Sequence, residues 1–219
     1  MSTSVTVVDC GSGNLLSVSR ALEHCGASVK VSHHGADIER AERVVLPGVG
    51  AFADGMAGLR DRQLLEPIRR FAATGRPLLG ICLGMQMLLT SSEEFGHHEG
   101  IGLVPGEVLP LPATALDGSR LKRPHIGWAD LLASHDAGWA GSPLEGLAQG
   151  TSVYLVHSYA AYPSERSDRL AECLYGGNRV VAAIRRENIV GCQFHPEKSG
   201  SAGLQVLRRF LGAGSAAGR

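Results

Sequence analysis

The sequence predicts a single α/β domain: a mostly parallel open sheet with helices on both faces, plus added antiparallel strands in the second half. Three observations carry this reading. Short β-branched runs alternate with helical patterns through the first half, an order that builds parallel sheet covered by helices. The run Pro77–Ile81 is apolar throughout, as expected of a strand buried on both faces. The chain also carries 29 glycines in 219 residues, well above the usual ~7%. Glycine turns at strand ends account for that excess.

The elements follow in order. Val5–Asp9 opens the sheet and stops at Gly11-Ser12-Gly13-Asn14. Leu15, Val18 and Leu22 then recur at helical spacing as far as His24, with Gly26 where a helix C-cap belongs. Val29–Ser32 and Val44–Leu46 are the next strands, the second ending in Pro47-Gly48-Val49-Gly50. Leu65–Ala73 is helical, closes at Gly75, and leads into Pro77–Ile81. Beyond it lie short strand candidates at Val104–Leu111, Ile126–Leu132, Ser152–Tyr159, Ala171–Leu174, Val180–Arg185 and Ile189–Phe194, separated by Gly, Pro and Asn turns. Gly203–Leu211 is a closing amphipathic helix. No linker or repeat divides the chain, so residues 1–211 read as one domain and 212–219 as a disordered tail.

Composition excludes several classes. Lys+Arg and Asp+Glu both number 21, giving zero formal net charge. A nucleic-acid or acidic-membrane binder would carry a basic excess. No apolar run approaches the ~18–20 residues of a membrane span. The N-terminus lacks the basic-then-apolar plan of a secretory signal. Five scattered cysteines without a CxxC pair argue against a disulfide framework or structural zinc, and so for a reducing cytoplasm. His33–His34 and His97–His98 read as solvated loop residues. No metal or organic cofactor is indicated, and Gly11-Ser12-Gly13 lacks the third glycine of a dinucleotide fingerprint.

The chemistry concentrates in two segments. Pro77–Gln86 is a buried strand that ends at Cys82, with Gly80 and Gly84 two residues to either side, and a helical pattern begins at once. This is the layout of a nucleophile elbow. The unpaired N–H groups of the helix start favour a thiolate. The Leu83 amide is placed to donate to an oxyanion, and Gln86, four residues on, shares the helix face of Cys82. Alone, Cys82 reads equally well as a small buried residue. Gln193–Ser199 shifts that balance, because His195 and Glu197 share a face in extended backbone and Pro196 keeps His195 out of the helical region. A carboxylate on one imidazole nitrogen frees the other to deprotonate a nucleophile. Pro47–Gly50 sits where an α/β sheet places ligands and offers a second oxyanion donor; by itself it is also an ordinary tight turn. Tyr154–Tyr159 fits either a satisfied sheet edge or a wall that recognises a polar ligand.

With these residues in view, the chain resembles the class I glutamine amidotransferases from Val5 to about Leu211. The resemblance rests on PGVGAF (Pro47–Phe52), GICLGMQ (Gly80–Gln86) and QFHPEKS (Gln193–Ser199). Within that family it is most similar to the branch serving histidine biosynthesis, through Asp9–Leu15, Arg123–Trp128 and Tyr154–Tyr159. The resemblance implies glutamine hydrolysis by a Cys82–His195–Glu197 triad through a γ-glutamyl thioester. It also implies oxyanion donors at the Val49 and Leu83 amides, and glutamine held by Gly50, Gln86, Glu94, His157, Ser158 and Tyr159. Glu94 is preferred to Glu93 by its distance from Cys82. The implied partner is a separate (β/α)8 cyclase subunit, forming a heterodimer. It takes the ammonia to make imidazole glycerol phosphate and AICAR, and it is faced by Asn14, Trp128 and Lys198. Trp128 reads alternatively as a core residue. Glycines on both sides of Val49 let its peptide plane rotate, so the isolated chain is expected to be nearly inactive. The rival readings are a glutaminase of another synthase, a stand-alone Cys–His–Glu γ-glutamyl hydrolase or peptidase, and a non-catalytic scaffold, which an intact triad disfavours.

Overall fold

A computed structural model describes residues 2–11, 13–134 and 138–212. The first half alternates strand and helix: β1 (Thr3–Val8), α1 (Leu15–His24), β2 (Ala27–Ser32), α2 (Gly35–Arg40), β3 (Val44–Gly48), α3 (Phe52–Asp61), α4 (Leu65–Ala73), β4 (Leu78–Cys82) and α5 (Leu83–Met87). Strands dominate the second half: β5 (Leu89–Ser92), β6 (His98–Glu99), β7 (Val104–Pro110), β8 (His125–Asp130), β9 (Leu132–Ala133), β10 (Ser152–His157), β11 (Tyr159–Pro163), β12 (Arg169–Tyr175), β13 (Asn178–Arg186) and β14 (Ile189–Cys192). Helix α6 (Gly200–Gly212) follows. Of the expected tail at 212–219, only Gly212 lies within the described residues, and it ends α6.

The central sheet runs β2-β1-β3-β4-β14-β13-β12-β9. Its first five strands are parallel to their neighbours, and β13, β12 and β9 add on antiparallel. A four-stranded sheet, β11-β7-β5-β6, and a two-stranded one, β10-β8, complete the structure.

Strand alternation explains why helices cover both faces. On β1, β3 and β4 the residues Val5, Val7, Val45, Leu79 and Ile81 join one core, with Val18 and Leu22 of α1 and Val206, Leu207 and Phe210 of α6. Their neighbours Val8, Val44, Leu46 and Leu78 join the other core, with Phe52, Met56 and Leu59 of α3 and Ile68 and Phe71 of α4. Both faces are covered, which is why β3 and β4 show no polar alternation in sequence.

Two expected strands are divided. The run Ser152–Tyr159 breaks at Ser158, so that β10 pairs with β8 and β11 with β7. Ser158 O accepts from Leu111 N at 2.9 Å at the crossing. The run Ile126–Leu132 breaks likewise at Leu131, and β9 turns into the central sheet. Helix α2 escapes sequence reading because it has six residues and buries only Ile38.

Candidate active site

The C-terminal ends of the parallel strands meet at Cys82. Cys82 ends β4 with φ 54° and ψ −112°, a conformation that L-residues rarely adopt. The flanking glycines make that turn possible. A Cβ on Gly80 would lie 2.8 Å from Gly84 O and from Met85 backbone, and one on Gly84 would lie 1.8 Å from Leu46 O. Leu83 begins α5, where N–H groups have no intrahelical partner and no side chain caps them. Gly48 pairs with Cys82 across β3 and β4, so the Val49–Gly50 turn emerges directly beside the cysteine.

His195 arrives from β14. Its backbone is extended, at φ −97° and ψ 99°, and Pro196–Lys198 then form a 3-10 turn. The expected shared strand face is therefore not what joins the pair: the turn brings Glu197 back onto the imidazole. Nδ1 of His195 lies 2.9 Å from Oε1 of Glu197, and the two side chains are only 6% and 1% exposed. Backbone ties fix the ring. His195 N donates to Tyr154 O at 3.0 Å, Ser199 Oγ donates to His195 O at 2.7 Å, and Tyr154 N donates to Ser199 Oγ at 3.0 Å. Burial pushes the imidazole toward its neutral form, but hydrogen bonds to Cys82 and Glu197, with their negative charge, prevail and raise its pKa to about 9.

A cavity of about 300 Å³ opens over Cys82 and His195, lined also by Val49, Gly50, Gln86, Glu94, Pro124, Val156, His157, Ser158, Tyr159 and Lys198. That volume suits a small polar metabolite. Glu94 Oε2 accepts from Phe52 N at 2.6 Å at the start of α3, beside the glycine turn. Glu93 points away to the exposed His97, 2.8 Å off, while His98, expected in a loop, lies in β6. His157 is buried. Its Nδ1 lies 2.9 Å from Tyr159 O, Nε2 has no partner among the described residues, and burial holds the ring neutral with a pKa of about 4. Gln86 reaches the cavity from the helix as its spacing predicts, yet its Nε2 bonds Tyr159 O at 3.1 Å and Gln193 Oε1 at 2.9 Å.

Residues 6–213 match the family described as Glutamine amidotransferase class-I. The chain belongs to the class I glutamine amidotransferases. Among the amidotransferase's relatives is "Imidazole glycerol phosphate synthase subunit HisH 1" of Legionella pneumophila (strain Lens), 50% identical over 95% of this chain and 99% of that protein. "Imidazole glycerol phosphate synthase subunit HisH" of Syntrophotalea carbinolica is 44% identical over 94% and 98%. Among solved structures, "Structure of PurLQS from Thermotoga maritima" superposes with a TM-score of 0.73 at 19% identity, covering 97% of this chain and 99% of that one. This likeness shows the shared fold.

Of the residues expected to face a partner, Asn14 and Trp128 lie outside the cavity and Lys198 lines its wall. Asn14 caps α1, its Oδ1 accepting from Ser17 N at 3.4 Å. Trp128 is not a core residue: it is 58% exposed and packs edge-on against Tyr154, ring centres 5.9 Å apart. Lys198 stands exposed on the 3-10 turn at the cavity wall. Sequence reasoning did not single out Gln193, which is fully buried with Nε2 3.7 Å from Cys82 Sγ. Its position two residues before the histidine, at the end of a strand beside β4, was the available signal. Among the described residues no group of three or more His, Cys, Asp or Glu side chains is arranged to hold a metal, and no helix is long and apolar enough to cross a membrane.

Proposed function

We propose that this amidotransferase is the glutaminase subunit of imidazole glycerol phosphate synthase, working in the cytoplasm. It would hydrolyse glutamine to glutamate and ammonia and pass the ammonia to a (β/α)8 cyclase subunit. The observation that carries the chemistry is Cys82 on its strained elbow, facing a buried imidazole backed by Glu197. The near full-length similarity to proteins named as subunits of that synthase supports the physiological role.

The mechanism follows from the geometry. Glutamine enters the cavity between Gly50, Gln86, Glu94 and His157–Tyr159, and the Cys82 sulfur attacks its side-chain amide carbon. The carbonyl oxygen becomes an oxyanion, received by the Val49 and Leu83 amides. His195, held cationic by Glu197 and the sulfur, gives its proton to the departing nitrogen, which leaves as ammonia. Water then attacks the γ-glutamyl thioester while the now neutral His195 takes its proton. Collapse expels the sulfur and releases glutamate. Ammonia in bulk water would protonate and lose its nucleophilicity, so direct transfer to a synthase is required. Asn14, Trp128 and Lys198 form the face assigned to that partner, and residues 1–211 act as one domain.

The test is glutamate release by the purified chain, alone and with the cognate cyclase plus its nucleotide ligand, with Cys82→Ala in parallel. The expected result is a low rate alone, a large rise in the complex, and none in the variant. A rate alone equal to that in the complex overturns the partnered reading in favour of a stand-alone hydrolase.

A further inference from the structure

We infer that Gln193 is a further catalytic residue of this site, a hydrogen-bond donor that holds the Cys82 sulfur in its anionic form. The inference rests on the reading of Cys82 as the nucleophile.

One atom beside the cysteine can only accept. Tyr159 O is a backbone carbonyl, and the Gln86 side chain reaches it at 3.1 Å, so the group placed there must be the Gln86 NH2. The second hydrogen of that NH2 points to the Gln193 amide at 2.9 Å, so Gln193 must present its oxygen to Gln86. Its own NH2 is thereby turned toward Cys82 Sγ, 3.7 Å away. The orientation of both amides is fixed by the chain of bonds rather than by either residue alone. Reversing the Gln193 amide would set its NH2 against the Gln86 NH2 in a fully buried position, where no water could satisfy either.

The other side of the sulfur explains why a donor is needed. Cys82 Sγ lies 3.9 Å from Val156 O. A thiol donates its hydrogen to that carbonyl, but a thiolate has none to give and faces a carbonyl dipole of the wrong sign. The Leu83 end of the helix is committed to the oxyanion. Gln193 then supplies the sulfur with a fixed donor from a buried side chain, where little water competes and a hydrogen bond to an anion is strong. Its partner Gln86 lies one helical turn beyond Cys82, so the nucleophile and its donor are braced from the same element. The other titratable groups around Cys82 are His195 with Glu197 behind it, His157 on β10, and Glu94 and Lys198 on the cavity wall. None of them is altered in the test below.

The experiment measures Cys82 alkylation by iodoacetamide from acid to alkaline pH in the full chain, with Cys82→Ala as the blank, for Gln193→Leu and Gln193→Glu. A donor to an anion is worth about ten- to a hundredfold in an ionisation equilibrium. Gln193→Leu is expected to move the midpoint of the profile to higher pH and lower the neutral rate by about tenfold or more. Gln193→Glu keeps the size and the bond from Gln86 but sets a carboxylate against the sulfur, so it is expected to move the midpoint at least as far. If the leucine variant does not fold, the glutamate variant decides. A midpoint that stays in place, including one with a uniformly slower rate, overturns the inference and leaves Gln193 as packing. Glutamate release that survives in Cys82→Ala instead overturns the nucleophile reading itself.

Discussion

At the residue scale the proposed triad depends on one carboxylate that solvent scarcely reaches. Glu197 stands 2.9 Å from His195 Nδ1 with a side chain 1% exposed, so solvent screens its charge little. Glu197→Gln keeps the shape and removes the charge. Glutamine turnover in the complex is predicted to fall on the order of 10²- to 10⁴-fold, with KM little changed. The sign of the pH effect follows from the raised pKa of His195, about 9, to which both Cys82 and Glu197 contribute. Without the carboxylate the imidazole loses its proton at lower pH. The alkaline limb of the kcat profile is therefore predicted to shift toward neutral, and a limb that stays in place removes Glu197 from the role assigned to it. Glu94 acts at the same scale by accepting from Phe52 N at 2.6 Å. That bond ties the start of α3, and with it the glycine turn, to the cavity wall. Glu94→Gln weakens the acceptor, and steady-state kinetics should show a higher KM for glutamine.

The elements show which parts of this arrangement could be read from sequence. Helices α1 and α4 fall where their apolar spacing places them, because each buries one stripe of residues on the sheet. The turn at Cys82 and the His195–Glu197 pairing were legible as well, since the glycines around Cys82 and Pro196 are local signals. Strand breaks at Ser158 and Leu131 were not, because neither carries a glycine or proline to mark the change of sheet. Nor was the Gln86–Gln193 pair, whose members lie 107 residues apart and meet only through the β4–β14 pairing. Close packing adds a further constraint that composition hides. A Cβ on Gly203 would come 1.9 Å from Pro196 O, so α6 lies directly on the turn that carries Glu197. Gly203→Ala must push helix and turn apart. Such overpacking costs about 1–3 kcal/mol or more, and here the displaced turn holds the carboxylate. Both the melting temperature and the glutaminase rate of the complex are predicted to fall, whereas an effect on stability alone would show that the turn moves independently of the triad.

For the whole molecule, two consequences reach beyond the site. His157 is buried and held neutral, with a pKa of about 4 against 6.5 for the free side chain. Between those values the unfolded chain binds the proton and the folded one does not, so stability falls as pH drops from about 6.5 to 4, by about 3 kcal/mol from this group. Denaturant unfolding at several pH values should show a shallower acid loss in His157→Asn than in the wild type. The second consequence concerns the face around the cavity mouth. Ile126 and Trp128 alternate outward on β8, and Tyr154 and Val156 lie opposite them on β10. The backbone of that same Tyr154 holds His195 through Tyr154 O and Ser199 through Tyr154 N. A partner that presses on this small two-stranded sheet therefore acts on a strand bonded directly to His195, the proposed acid–base residue. With zero net formal charge, long-range attraction contributes little, and an exposed tryptophan is the natural anchor. Trp128→Ala is predicted to weaken the affinity for the cyclase by about thirtyfold or more, the effect of losing an anchor worth at least ~2 kcal/mol. Its melting temperature should not change, because the ring belongs to neither core. At saturating cyclase the glutaminase rate of the variant separates two roles: full recovery means that Trp128 only binds the partner, and a rate that stays low means that the ring also carries the partner's pressure to Tyr154 and so to His195.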